Sequence, residues 1–201
     1  RLAGKTFLTT PMKQEVDRCR MAIEEAVKGK TVSMICSGDA GVYGMAGLIY
    51  ELSQQYPPIE ITVIPGITAA MSGAAVLGAP LIHDFAVISL SDLLTPLDKI
   101  MNRVSLAAQG DFVLCFYNPA SKKRADYLQR ACELILQHRS PDTPCGWVRN
   151  IGREGQQHRL LTLARLRDEQ VDMFTTVFIG AGTTQAVAGR MVTPRGYEAK
   201  R

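Results

Sequence analysis

The sequence predicts an α/β fold in two halves with a cleft between them. Three observations predict it. Short apolar runs bounded by turn residues alternate with segments whose apolar residues recur every three or four positions, which is strands alternating with helices. Several runs end in glycine- or proline-marked loops, at Gly38, Gly66, Pro119, Gly152 and Gly180, and such loops converge at one rim, where open sheets bind ligands. The 201 residues are 46% hydrophobic and 21% charged, an ordinary globular balance for one or two compact units. A change of unit near Gln109-Gly110 divides the chain into domains 1–109 and 110–201, and clefts between domains are preferred ligand sites.

Taken in order, Met12 to Val27 predicts an amphipathic helix with Val16, Cys19, Ile23 and Ala26 on one face, closed by Gly29. Val32 to Cys36 reads as a buried strand, followed by Ser37-Gly38-Asp39-Ala40-Gly41-Val42-Tyr43-Gly44 and then Met45, Leu48, Ile49 and Leu52 at helical spacing. Ile59 to Ile64 is a second strand, running through Pro65-Gly66-Ile67 into a helix of small residues, Thr68 to Leu77. Phe85 to Ser89 is a third strand and Leu97 to Ala108 a helix. Asp111 to Tyr117 is a strongly apolar strand broken by Asn118-Pro119, and Ala125 to His138 a helix. Cys145 to Val148 and His158 to Leu161 read as paired strands, and Thr162 to Arg167 as a short helix. Thr175 to Ile179 is the last strong strand and runs into Gly180-Ala181-Gly182.

Composition narrows the function classes. A net charge of +4 decides little between an anionic small substrate and nucleic acid, but only 6% of residues are aromatic and none interleave with a basic cluster. The five cysteines are odd in number with no C-x-x-C pair, and the three histidines form no ligand motif, which argues against a disulfide framework or a metal site. With no apolar run of about 18 residues and no signal peptide, the expectation is a cytoplasmic protein with no membrane partner.

The stretch from Thr31 to Leu52 organises the chain. A strand, a glycine loop and a helix in that order put backbone N–H groups and a positive helix end at the carboxyl edge of a sheet. Gly38, Gly41 and Gly44 let a ligand approach the backbone closely. Asp39 inside this turn repels a phosphate but suits a ligand with a cationic centre and hydroxyls, such as the sulfonium and ribose of S-adenosylmethionine. The plainer alternative is a strand-to-helix turn with Asp39 as N-cap.

Five stretches carry a resemblance over nearly the whole chain: CSGDAGVYGMAG (Cys36 to Gly47), IPGITAA (Ile64 to Ala70), GAPLIHDFAVISLSDLLTP (Gly78 to Pro96), FVLCFYNPASKKR (Phe112 to Arg124) and TPRGY (Thr193 to Tyr197). With these the chain resembles the tetrapyrrole methylases of the cobalamin pathway, and within them the branch acting on C17. The resemblance implies the tetrapyrrole methylase fold, a homodimer and S-adenosylmethionine as methyl donor. It implies methyl transfer to C17 of precorrin-3B or cobalt-factor III, with ring contraction. The family opens with a strand and a G-x-G-P-G loop that nothing in Arg1 to Gln14 matches, so the expectation is a chain starting after that segment, with a sheet edge left unpaired.

The resemblance implies that Gly38, Asp39 and Ala40 contact the cofactor, that Thr68 and Ala69 form a second wall, that Tyr117 follows the fourth strand, and that Gly180 and Ala181 meet the adenine. Thr68 also reads as a helix N-cap, Tyr117 as a core aromatic and Asn118-Pro119 as a simple turn. A substrate bearing several carboxylates suits arginine forks, which nominates Arg153, Arg124 and Asn118, with Lys122, Lys123, Arg149 and Arg195 behind them. Proton transfer during ring contraction nominates His83 and Asp84, then Asp92. Competing readings are another precorrin methylase, a non-catalytic tetrapyrrole-binding protein, and an RNA- or nucleotide-binding protein. Against the last, Met45 stands where a phosphate loop would place its Gly-Lys-Ser/Thr.

Overall fold

The computed structural model describes residues 4–121 and 124–197. It divides into two compact units, Arg1–Thr68 and Ala69–Arg201. The expected change of domain at Gln109-Gly110 falls inside the second unit, between a helix and a strand whose sheet neighbour precedes that point.

The first unit carries two helices, α1 (Glu15–Val27) and α2 (Ala46–Ser53). Cys19 and Ile23 of α1 and Leu52 of α2 form a small core, with Met34, Met45, Leu48, Ile49, Tyr56 and Ile59 packed against it. Val16, expected on the same buried face, is instead exposed. The segments 32–36 and 59–64, expected as strands, join no ladder among the described residues, and Ile35 and Ile64 are 77% and 74% exposed. An apolar run becomes a strand only when a neighbour satisfies its N–H and C=O groups. Segment 59–64 is held instead by Ile59 against the small core and by a side chain: the Tyr50 hydroxyl donates to the Ile61 carbonyl at 3.3 Å.

The second unit is a five-stranded mixed sheet covered on both faces. Its elements are α3 (Ala69–Leu77), β1 (Gly78–Ala79), β2 (Phe85–Ser89), α4 (Leu97–Gln109), β3 (Val113–Tyr117) and α5 (Tyr127–Ile135), then β4 (Pro144–Arg149), β5 (Gln157–Thr162), α6 (Leu163–Leu166), β6 (Thr175–Ile179), β7 (Gln185–Val187) and β8 (Arg190–Val192). The sheet order is β2-β3-β6-β4-β5, and β1-β8-β7 form a second, three-stranded sheet. β2 and β3 run parallel; β3–β6, β6–β4 and β4–β5 are antiparallel.

Alternation along the central strands sorts the core into two layers. Leu114, Phe116, Val177 and Ile179 face the cluster that includes Ile100, Met101 and Val104 of α4 and Leu128, Ala131 and Ile135 of α5. Cys115 and Phe178 face the other layer, with Ala70, Ala74 and Leu77 of α3 and Met191 of β8. The sequence reading placed β2, β6 and α4 within a residue or so. It missed β1, β7 and β8, which are two or three residues long. The β7–β8 hairpin turns at Ala188 and Gly189, both in the left-handed region (φ 48° and 72°), without the Asn-Gly or Asp-Gly pair that marks such turns in sequence. No helix among the described residues is long and apolar enough to cross a membrane.

The small residues of α3 have a packing reason. A Cβ built on Gly73 would stand 2.8 Å from Phe178 Cζ and 3.0 Å from Ile151 Cδ1. Gly73→Val therefore pushes α3 off the sheet, and thermal or urea unfolding is expected to show a loss of about 1–3 kcal/mol.

Candidate active site

In the first unit one carboxylate ties two glycine turns together. Asp39 Oδ1 accepts from the Gly41 N–H at 2.7 Å, and Oδ2 accepts from the Gly66 N–H at 2.8 Å. These bonds, Gly66 first and Gly41 second, hold the Asp39 carboxyl below its ordinary value. The turns touch so closely that a Cβ on Gly66 would overlap the Gly38 carbonyl oxygen, so only glycine fits there. The Ala46 N–H donates to the Ala40 carbonyl at 3.0 Å, which leads the turn into α2. The N-cap of α2 is Met45, so the N-cap alternative for Asp39 is corrected: its carboxylate is spent on the turns, six residues before that N-cap.

In the second unit the pairing directions decide which loops share an end of the sheet. β2 and β3 are parallel, so Ser89 and Tyr117 lie side by side at one end. β6 and β4 oppose each other with Arg149 beside Thr175, and β3 opposes β6 with Phe116 beside Val177. The end containing Ser89, Tyr117 and Asn118 is thus also the end of Arg149, Asn150 and Thr175. Both β3 and β4 leave the sheet there through an asparagine in the left-handed region, Asn118 (φ 51°) and Asn150 (φ 52°), which asparagine tolerates better than most residues.

Tyr117 is a brace at this end. The Ala70 N–H, in the first turn of α3, donates to its hydroxyl oxygen at 2.6 Å. Tyr117's own carbonyl accepts from the Leu90 N–H at 2.9 Å, and Asn118 Nδ2 donates to Ser89 Oγ at 3.1 Å. The core-aromatic alternative for Tyr117 and the turn alternative for Asn118 therefore both describe real local roles. Ala69 stands at the first position of α3, directly after Thr68.

The opposite end holds a different set. Gly180 follows Ile179, which lies across from Leu114, so Gly180 and Ala181 sit near the start of β3 and one strand length of about 13 Å from Tyr117. Their backbone groups are committed internally. The Gly180 N–H donates to the Pro144 carbonyl at 2.9 Å and the Ala181 N–H to Thr184 Oγ1 at 2.8 Å. The Gly180 carbonyl accepts from the buried Arg139, which also donates to the Phe112 carbonyl. Burial lowers the Arg139 pKa, opposed by Asp111 3.7 Å away. His83 and Asp84 also lie at this end, before β2. Both are exposed, and among the described residues their side chains make no hydrogen bond or ion pair. The Asp84 carbonyl accepts from the Val113 N–H at 3.0 Å, the strand-entry role.

The substrate candidates scatter. Arg124 is mostly buried, with Nε donating to Ser121 Oγ at 3.0 Å and Nη1 lying 3.9 Å from Asp92 Oδ1. Arg153 is exposed in the turn after β4, its N–H donating to the Asn150 carbonyl at 3.0 Å, and Arg195 is exposed beyond β8. Lys122 and Lys123 lie outside the described residues. Arg149, ranked low from sequence, pairs with Asp172 Oδ2 at 2.8 Å, and Thr175 Oγ1 donates to Asp172 Oδ1 at 2.9 Å. No local sequence signal links Arg149 to Asp172, because the β6–β4 pairing brings them together. Burial pushes the Cys115 and Cys132 thiols up to about 12, which removes them as nucleophiles. A cavity of about 240 Å³ near Pro144, Leu160 and Met191 contains none of the nominated residues.

The family profile of Tetrapyrrole (Corrin/Porphyrin) Methylases matches residues 4–167, and the chain belongs to that family. It is 48% identical over 194 residues to a probable cobalt-factor III C(17)-methyltransferase of Salmonella typhimurium, covering 96% of this chain and 80% of that one. It is 44% identical over 204 residues to the cobalt-factor III methyltransferase of Priestia megaterium, spanning 99% of this chain but 38% of that longer protein. The crystal structure of the methyltransferase CobJ superposes with a TM-score of 0.88 at 36% identity, over 96% of this chain and 82% of that one. The family read from the sequence motifs is thus borne out.

Two outcomes are expected from this geometry. Because the folded Asp39 carboxyl lies below its ordinary value of 3.8, the ionised form is the one the fold stabilises. Its contribution is complete above the unfolded value and is lost as the pH falls through the lower folded one. The Gly41 and Gly66 amide resonances should move together in an NMR titration, with a midpoint below 3.8, and Asp39→Asn should abolish that titration. Tyr117→Phe leaves the buried Ala70 N–H without its acceptor, and urea unfolding should show a loss of about 1–3 kcal/mol.

Proposed function

We propose that this chain transfers a methyl group from S-adenosylmethionine to C17 of a corrin precursor, cobalt-factor III or precorrin-3B. Relatedness over 96% of the chain to a protein named for that C17 methylation carries the reading. In the reaction the nucleophilic ring carbon forms a bond to the methyl carbon as the methyl–sulfur bond breaks. Sulfur keeps the electron pair, leaving S-adenosylhomocysteine. Such a step asks the protein mainly to hold two carbons in line and near contact and to exclude water. Backbone-lined turns do this without a strong base.

The proposed cofactor contacts in the first unit are Gly38, Asp39, Ala40 and Thr68. Asp39 braces both turns, and its negative charge favours a sulfonium nearby. In the second unit they are Ala69 and Tyr117. Gly180 and Ala181 fit less well, since both N–H donors are used internally and an adenine would find no donor there. Asn118, Arg124 and Arg153 are the proposed substrate contacts. His83 and Asp84, at the far end of β2 from Tyr117, are assigned no step. The ring contraction, the homodimer and the cytoplasmic location belong to this same reading.

Calorimetry with S-adenosylhomocysteine tests it, beside methyl transfer from ¹³C-methyl-labelled donor to cobalt-factor III with the product carbon located by NMR. Micromolar binding and a label on C17 are expected, with affinity weakened about tenfold or more by Asp39→Ala. A label on another carbon assigns a different precorrin methylation, and no binding at all removes the reading.

A further inference from the structure

The loop between β2 and α4 exposes two adjacent leucines, Leu93 at 70% and Leu94 at 94%. Single exposed apolar residues need no explanation, but a neighbouring pair offers one continuous apolar contact. The loop starts from the end of β2 that carries Ser89, beside Tyr117 and Asn118. It is also anchored. Asp92, directly before the leucines, accepts from the Tyr127 hydroxyl at 2.8 Å, which ties the loop to the start of α5. Arg124 Nη1 stands 3.9 Å from the other oxygen of the same carboxylate. That Nη1 is buried and makes no hydrogen bond among the described residues, although Nε of the same guanidinium is bonded to Ser121. The apolar pair thus follows Asp92 directly in the chain, and the mostly buried Arg124 guanidinium lies beside the Asp92 carboxylate.

We propose that Leu93 and Leu94 form the apolar half of the substrate site, covering the face of a flat macrocycle, while the Arg124 guanidinium, which keeps 16% side-chain exposure, receives one of its peripheral carboxylates. Asp92 is the positioning residue that holds the two halves in register. The inference rests on the tetrapyrrole reading above and deepens it. The chemistry suits that occupant: a large planar ring offers apolar faces, and its acetate and propionate arms lie at the edge, within reach of a guanidinium fork. A protein partner would cover the leucines as well but would give Arg124 no separate task.

The test is the double variant Leu93→Ser/Leu94→Ser, with Arg124→Gln and Asp92→Asn made separately. The leucines are exposed, so the fold should tolerate their loss. Cobalt-factor III is the probe, followed both by turnover and by the shift of its absorption bands on binding. S-adenosylhomocysteine affinity and sedimentation are measured on the same samples. The double variant should raise KM and the cobalt-factor III Kd about tenfold with kcat within about twofold, and leave S-adenosylhomocysteine affinity and oligomeric state unchanged. Arg124→Gln should weaken the same Kd by a similar factor, and Asp92→Asn should raise KM with little change in kcat.

Unchanged cobalt-factor III binding in the double variant, while the wild type binds and turns over, overturns the inference and leaves the C17 reading standing. A change in oligomeric state assigns the leucines to an interface between copies and also overturns it. Failure of the wild type to bind or methylate the macrocycle removes both.

Discussion

β3 takes a parallel neighbour, β2, on one edge and an antiparallel one, β6, on the other, and that mixed pairing decides which loops can meet. In a wholly parallel sheet every strand exit shares one rim, so every glycine- or proline-marked exit is a candidate for one site. Here β6 runs against β3, and its exit at Gly180 points to the rim opposite Tyr117. The glycine there has a structural reason of its own: a Cβ would stand 2.6 Å from Thr184 Cβ and 2.7 Å from the Pro144 carbonyl. A glycine after a strand is thus not by itself a ligand mark. At Gly180 it lets one turn close against a buried arginine.

The same pairing explains what the sequence could and could not disclose. β2, β3, β6 and α4 were legible because short runs of apolar and β-branched residues, or a buried stripe at helical spacing, are local signals. The motifs CSGDAGVYGMAG and IPGITAA were legible as a family for the same reason. The rim of the sheet was not. Arg149 meets Asp172, and Tyr117 meets Ala70, across 23 and 47 positions of sequence. Those meetings depend on strand direction and on where α3 lies, neither of which any local window encodes. The runs 32–36 and 59–64 failed in the opposite sense. Their composition is that of strands, but strand formation requires a partner, and composition alone does not supply one.

Asp39 has a structural task that the N-cap reading did not anticipate. Its two oxygens each take a backbone N–H, one from its own turn and one from the turn 27 residues on. That is a structural task, and it accounts for a carboxylate in a loop otherwise lined by N–H donors. It also has an electrostatic consequence. The two bonds lower the carboxyl's pKa, so the turn pair carries a negative charge at neutral pH instead of the positive potential that a glycine loop before a helix usually presents. Such a charge disfavours a phosphate and favours a sulfonium, which is the reading proposed above. In the function proposed above, the residue that fastens the two turns is also the one whose charge favours a cationic ligand.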